Sequence, residues 1–365
     1  MQKLDWYILK KFFFTFFFCM LLFTAIAVAV DSSERADDFV RAGFNTKQLI
    51  NNYYLGFVPW IWSLLFPLFV FIAVIFFTSR MASRSEVIAI LSGGMSYNRF
   101  LRPYFIGGLM LSMLLWVGTR YWIPKANVIR SNFQSTYVDR TDPTKNRMYN
   151  NCYNCFYLRT DSNTFVSIRE YDTAAKAARG LSLNRIKNNK VVYNIRAEVM
   201  KWDTAVKKWQ LVNAVERMID SLGETKRDYP TLIVELPVKP AELKKDLYIK
   251  DKLTTQELIM HIRQEELRGT EGLNDKKVER FRRTATPATV LLLTMIGAII
   301  ASRKIRGGSG IHIAFGIVIA ALFIVSDKFS TTFAVKGNLS PFIAAWLPNI
   351  VFTGVAYWLY RRTPK

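Results

Sequence analysis

A chain of 365 residues that is 51% hydrophobic and only 21% charged is too apolar for an ordinary water-soluble enzyme. Its 50 Lys and Arg against 28 Asp and Glu nevertheless leave a formal charge of +22, which implies a sizeable aqueous part. The composition therefore points to a membrane protein, and the placement of the charges carries more information than their sum.

Six runs lack Asp, Glu, Lys and Arg: Phe12 to Val30, Leu55 to Ser79, Pro103 to Thr119, Thr284 to Ser302, Gly307 to Ser326 and Gly337 to Tyr360. At about 1.5 Å per helical residue, such runs match a hydrocarbon core of roughly 30 Å with some tilt. Six transmembrane helices are expected. The first run is long and lacks a clear small-residue cleavage site, so it reads as a span rather than a removable signal.

Basic residues in the short flanks alternate. Lys3, Lys10 and Lys11, then Arg80, Arg84, Arg99 and Arg102, then Arg303, Lys304 and Arg306, and finally Arg361, Arg362 and Lys365 share one side. The opposite flanks carry Arg35, Arg41, Lys47, Arg120, Lys328 and Lys336. The positive-inside rule places both termini in the cytoplasm and the long loop after the third span outside.

After the first span, Asp31, Glu34, Arg35, Asp37 and Asp38 form a mixed cluster. Asp31 and Asp327 directly follow apolar runs, where they either end a helix at the wet interface or line a polar cavity. Arg35 reads as a lipid headgroup contact or as an interfacial helix-ending residue. Between the second and third spans, Val87, Ile90 and Leu91 form an apolar helical edge, with Arg84 and Glu86 near its beginning. A short helix there is either a partner contact or a solvent-facing loop helix.

The long loop, Lys125 to Arg283, holds 31 basic and 21 acidic residues, which suits an anionic substrate, a lipid surface or simply a solubilising exterior. Cys152 and Cys155 make a Cys-x-x-Cys, either a disulfide in an oxidising compartment or a reduced structural pair, while Cys19 lies in the first span. Strands are expected at Phe165 to Ile168, Val191 to Val199 and Trp209 to Val215, with turns at Asn188-Asn189 and Asp203-Thr204. Alternation within Val191 to Val199 is imperfect, although Tyr193, Ile195 and Ala197 share one face; Ala174 to Ala178 reads as a short helical excursion. From Thr254, the residues Gln256, Leu258, Ile262 and Leu267 fit a helix interrupted by Gly269 and Gly272.

The chain has no Gly-x-x-x-x-Gly-Lys-Ser/Thr phosphate loop, no His-Glu-x-x-His pair and no convincing nucleophile elbow. No enzyme activity, catalytic residue, resident metal or cofactor is expected of it. With His261 and His312 as the only histidines, a zinc site at the cysteines has poor support.

Several segments carry a resemblance. Arg84-Ser85-Glu86 through Gly94-Met95-Ser96 resembles the cytoplasmic coupling helix of the lipopolysaccharide export permeases of the LptF/LptG (YjgP/YjgQ) family, with Gly93 where alanine is commoner. Phe281 through Pro287 looks like that family's approach to its fourth span, and Leu339 through Asn349 like the start of its last. Arg196-Ala197-Glu198, Lys201-Trp202-Asp203 and Trp209-Gln210-Leu211 resemble its external β-domain. The outer end of the first span departs from the family's basic character, because Asp31-Ser32-Ser33-Glu34-Arg35 is mostly acidic and leaves only Arg35 as a candidate on the substrate path.

The resemblance implies a polytopic α-helical membrane protein with six transmembrane helices and an inserted periplasmic β-jellyroll-like domain. Residues 1–123 would form an N-terminal membrane half with a coupling helix at about 84–95, and 124–253 a periplasmic β-rich domain. Residues 254–283 would be a helical connection and 284–365 the C-terminal membrane half. It further implies a non-catalytic permease subunit of an ABC transporter in the bacterial inner membrane. Its partners would be a second LptF/LptG-type permease, a dimeric LptB-type ATPase that uses ATP and Mg, a single-pass LptC-type bridge and lipopolysaccharide, with no nucleic acid. Glu86, with Arg84, Val87, Ile90 and Leu91, becomes the expected ATPase contact. The alternatives are another lipid or lipoprotein export permease and a non-transport envelope scaffold.

Overall fold

The computed structural model describes residues 3–139, 156–172, 175–204, 206–220, 223–236, 240, 243, 246–270, 272–303 and 309–363. The chain divides into two compact units, Met1–Ser131 with Lys250–Leu258 and Asn274–Lys365, and Asn132–Ile249 with Ile259–Leu273.

In the first unit, α1 (Lys3–Glu34) is followed by short α2 (Ala36–Ala42) and α3 (Thr46–Leu49), and a π turn over Ile50–Tyr54 leads into α4 (Leu55–Ser83). Then come α5 (Glu86–Ser92), α6 (Tyr97–Phe133), α7 (Ile249–Lys252) and α8 (Thr255–Arg268), of which α8 belongs to the second unit from Ile259 on, and finally α9 (Leu273–Ala301), α10 (Ser309–Lys336) and α11 (Pro341–Arg361). Among the described residues six helical stretches are long and apolar enough to cross a membrane, three on each side of the β-domain in sequence.

These helices are apolar all round, so lipid itself gives them little reason to associate; side-chain fit decides which stripe packs inward. On α1 the buried stripe is Ile8, Phe12, Phe16 and Met20, spaced by four residues, while Phe14, Phe18 and Leu21 stay exposed. That stripe packs with Phe66, Val70, Ala73 and Phe77 of α4, Phe100 and Tyr104 of α6, and Val290 of α9. Close approach depends on small residues: a Cβ on Gly56 would lie 2.5 Å from both the Ala126 carbonyl oxygen and the Arg130 nitrogen of α6.

Proline within these helices frees a carbonyl four residues earlier. Pro348 frees that of Ala344, and the buried Ser330 hydroxyl of α10 donates to it at 2.8 Å. Ser330→Ala is therefore expected to lower stability by about 0.6–2 kcal/mol, read as a lower thermal midpoint in detergent; an unchanged midpoint would mean the carbonyl finds another donor.

The helices outrun the charge-free runs. Asp31 and Asp327 terminate nothing: α1 continues to Glu34 and α10 to Lys336. Each aspartate is accommodated because it is paired, Asp31 with Arg35 at 3.0 Å and Asp327 with Arg282 at 2.8 Å. Arg120 likewise sits inside α6, over the Trp116 ring.

In the second unit, β1 (Phe156–Asp161), β2 (Thr164–Asp172), β3 (Ala177–Lys187), β4 (Lys190–Asp203), β5 (Lys208–Asp220) and β6 (Gly223–Val234) form one antiparallel sheet in that order. The three strands expected from composition fall in β2, β4 and β5. Asn188 and Asn189, both at positive φ (50° and 59°), close the β3–β4 hairpin. Ala177 and Ala178 correct the expected helical excursion: both pair in β3, and Ala178 is fully buried; Ala174 lies outside the described residues.

The imperfect alternation of β4 has a structural cause. Gly180 in β3 (φ 68°) and Asn213 in β5 (φ 52°) flank Glu198 of β4, and Asn213 donates to the Glu198 carboxylate at 2.8 Å. Left-handed backbone at this level shifts the inward phase, so Leu181, Ile195 and Ala214 face the core on one side of it and Ala178, Met200 and Leu211 on the other. Ile195 and Ala197 are core residues, packed in the same cluster as the fully buried Trp209.

Thr254 and Glu257 cap α8 reciprocally, the Thr254 N–H donating to the carboxylate at 2.9 Å. The hydrogen bonds from Thr254 hold Glu257 below the usual carboxylate range. Leu258 and Ile262 are buried as expected, but Leu267 is 73% exposed and off that stripe. Gly269 adopts the left-handed conformation that ends the helix, and Gly272, also left-handed, immediately precedes α9.

Candidate functional site

The segment between α4 and α6 is held by backbone geometry. The N–H groups of Arg84 and Ser85 donate to Arg80 and Ala82, and Ser85 takes a left-handed conformation (φ 62°) that turns the chain into α5. Such a conformation is costly for a residue with a side chain, so the turn is imposed by its surroundings. Glu86 occupies the first turn of α5, where the helix dipole favours a negative charge. Gly94 (φ 85°) reverses the chain before α6.

α5 has an inward and an outward side. Val87 is 1% exposed and belongs to the core shared with α1, α4 and α6, with Ile90 and Leu91 packed partly against it. The Val87 side chain thus packs within its own chain, and Ile90 and Leu91 are half-buried on the same side. The outward side instead carries Arg84, Ile88 and Ala89. Arg84 is exposed and makes no ion pair among the described residues.

Glu86 has partners that its local sequence does not suggest. The Tyr7 hydroxyl of α1 donates to its Oε2 at 3.2 Å, and the Lys11 ammonium approaches the same oxygen at 3.5 Å. Lys11 also donates to the Tyr7 hydroxyl and lies over the Tyr7 ring. The carboxylate stays part-exposed, at 28%. It therefore links α5 to α1 while keeping a face open. Tyr7 and Lys11 lie 79 and 75 residues away in sequence, and Lys11's place among the basic flanks does not identify it as a partner of Glu86.

At the opposite end of α1, Arg35 donates from Nε to Asp31, whose Oδ1 also accepts from the Tyr53 hydroxyl at 3.0 Å. Arg35 further lies over the Tyr53 ring. The guanidinium is thus a structural partner of a buried carboxylate in this chain, with a quarter of its side chain exposed. Cys152 and Cys155 lie outside the described residues; Cys19 is free and half-buried in α1.

Near the start of α9, adjacent arginines diverge. Arg282 donates to Asp327 and Thr331 of α10, at 2.8 and 2.6 Å. Arg283, buried, donates to the carbonyls of Lys250 and Leu253, at 2.7 and 2.9 Å, and fixes the α7 segment to α9.

Six membrane-length helices in two sets of three, separated in sequence by an antiparallel β-domain, define a multi-pass membrane protein with a folded extramembranous insertion. Over residues 6–362 the sequence matches the family described as Lipopolysaccharide export system permease LptF/LptG. The chain belongs to that family. A comparison with curated proteins gives no match.

Proposed function

We propose that this chain is one permease subunit of an ABC transporter that extracts lipopolysaccharide from the bacterial inner membrane and passes it to a periplasmic bridge. The family match supports lipopolysaccharide export in general, and the observation that carries the finer reading is the tie from α5 to α1 through Glu86, Tyr7 and Lys11.

The physical problem is the cargo's apolar mass. Burying a CH₂ group is worth roughly 0.8 kcal/mol, so drawing several acyl chains through water costs tens of kcal/mol. A cavity between spans avoids that exposure. α1 and α10 are suited to line one with a second permease, since Phe14, Phe18, Leu21, Phe315, Ile317 and Leu322 project from them uncovered. A separate cytoplasmic dimeric ATPase, using ATP and Mg, closes against Arg84, Glu86 and the outward side of α5. Glu86 makes a charge-assisted contact and hydrolyses nothing. Because it also holds Lys11, displacement of α5 reaches α1 directly and compresses the cavity. The β-domain, periplasmic on the orientation set by the basic flanks, hands the lipid to a single-pass bridge component. Arg35 touches cargo through its exposed part while its inner nitrogen holds Asp31.

Lys11→Ala separates attachment from transmission. The variant is expected to bind the ATPase and hydrolyse ATP at wild-type level, but to release several-fold less lipopolysaccharide per ATP from proteoliposomes. Release unchanged per ATP would exclude transmission through Lys11.

A further inference from the structure

A groove of about 750 Å³ lies between α6, α9 and α11, apart from α5 and from the outer end of α1. Its size falls within the roughly 300–1,000 Å³ typical of sites for small ligands. Along each wall the chemistry changes in the same direction. On α6, Asn98 and Arg102 give way to Phe105 and Ile106; on α11, Tyr360 and Tyr357 give way to Ala356 and Thr353. On α9 the wall runs from Ile299 through Met295 to Leu291 and Ala288 and is apolar throughout.

The polar ends coincide. The Tyr97 hydroxyl lies 3.1 Å from that of Ser302, setting the end of α9 beside the start of α6, and the Tyr360 hydroxyl donates to Asn98. Arg102 is exposed there and makes neither an ion pair nor a side-chain hydrogen bond among the described residues. Arg361 adds a second cation by donating from Nε to the Tyr357 hydroxyl at 3.0 Å. Among the described residues no carboxylate lines the groove.

We propose that this groove binds one anionic glycerophospholipid, its phosphate on Arg102 and its acyl chains running toward Ala288. Length argues for a lipid over a helix of another protein. Ala288 to Ile299 spans roughly 16 Å at 1.5 Å per residue, about one leaflet of a hydrocarbon core some 30 Å thick. A crossing helix needs the whole thickness, whereas a phospholipid needs one leaflet with its charge at one end. The guanidinium supplies the counter-charge, and a net-anionic headgroup is preferred over a zwitterionic one because no carboxylate among the described lining residues receives the zwitterion's ammonium. The site depends on membrane insertion and is independent of lipopolysaccharide export.

The test uses the full-length chain in nanodiscs of equal phosphatidylglycerol and phosphatidylcholine, transferred to detergent, with retained lipid counted by native mass spectrometry. Wild type is expected to keep one phosphatidylglycerol with about a fivefold preference, the effect of one arginine at an anionic surface. Arg102→Ala brings the two lipids to near parity, Arg102→Lys keeps most of the preference, and Ala288→Trp, which fills the apolar end, lowers retention of both. Wild-type preference also falls at 1 M salt, a readout that needs no variant. Equal retention of the two lipids by wild type overturns the proposal, as does a preference that survives both Arg102→Ala and high salt.

Discussion

Glu86→Arg is expected to reduce co-purification of the ATPase at least tenfold and to stop lipopolysaccharide release, while the chain still inserts and folds. A charge-assisted contact at an interface is worth about 2–5 kcal/mol when one partner is removed, and the part-exposed Glu86 belongs at the low end of that range. Reversal also sets two cations together, because Lys11 lies 3.5 Å from the carboxylate being replaced. The added substitution Lys11→Glu separates the two effects. It restores an ion pair between α5 and α1 in the Glu86→Arg background but not the original charge offered to the ATPase. The double variant should therefore regain thermal stability and remain unable to hold the ATPase. Recovery of ATPase binding in the double variant would show that Glu86 acts only within its own chain.

The largest effect on stability is expected at Arg283. Its guanidinium satisfies the Lys250 and Leu253 carbonyls and pairs with Glu279 at 3.4 Å, all while 8% exposed. Arg283→Ala strands two acceptors and the half-buried Glu279 carboxylate, a combination that costs about 3–5 kcal/mol. The loss should depend on pH. Burial already pushes the Asp251 carboxyl above its ordinary range, with Lys250, Arg130 and Arg283 pulling it back. Removing Arg283 raises it further above the unfolded value. Asp251 then contributes no penalty at low pH, where it is protonated in both states, and its penalty grows as pH rises through the folded-state pKa. Thermal midpoints of wild type and variant should accordingly converge on acidification; a constant difference would remove Asp251 from the explanation.

The six spans were legible because lipid enforces a simple rule, long stretches without charge, and β2, β4 and β5 because strand formers and an Asn-Asn turn are local signals; β1, β3 and β6 emerge only in the structure. Helix ends were not legible in the same way. A charge count treats Asp31 and Asp327 as boundaries, whereas each sits inside a helix opposite Arg35 or Arg282, and Arg282 is 45 residues from its partner. The broken alternation in β4 is visible in Val191 to Val199 itself, but its cause lies in neighbouring strands, at Gly180 and Asn213. The site divided along the same line. Arg84 and Glu86 stood out from their position at the head of a short amphipathic segment. The direction of that segment's apolar edge did not, since periodicity identifies a stripe without saying whether it faces its own chain or another, and Val87 faces its own. Tyr7 and Lys11 were invisible as partners because nothing in a linear sequence brings α1 to α5.

The central claim is that ATP hydrolysis by a partner drives lipopolysaccharide out of the bilayer through a cavity built partly by this chain. Labelled lipopolysaccharide should be measured leaving proteoliposomes that contain this chain, its companion permease, the ATPase and the bridge component. The account predicts release that requires ATP and fails with Glu86→Arg. ATP hydrolysis by the complete assembly with all labelled lipid retained in the bilayer would contradict it.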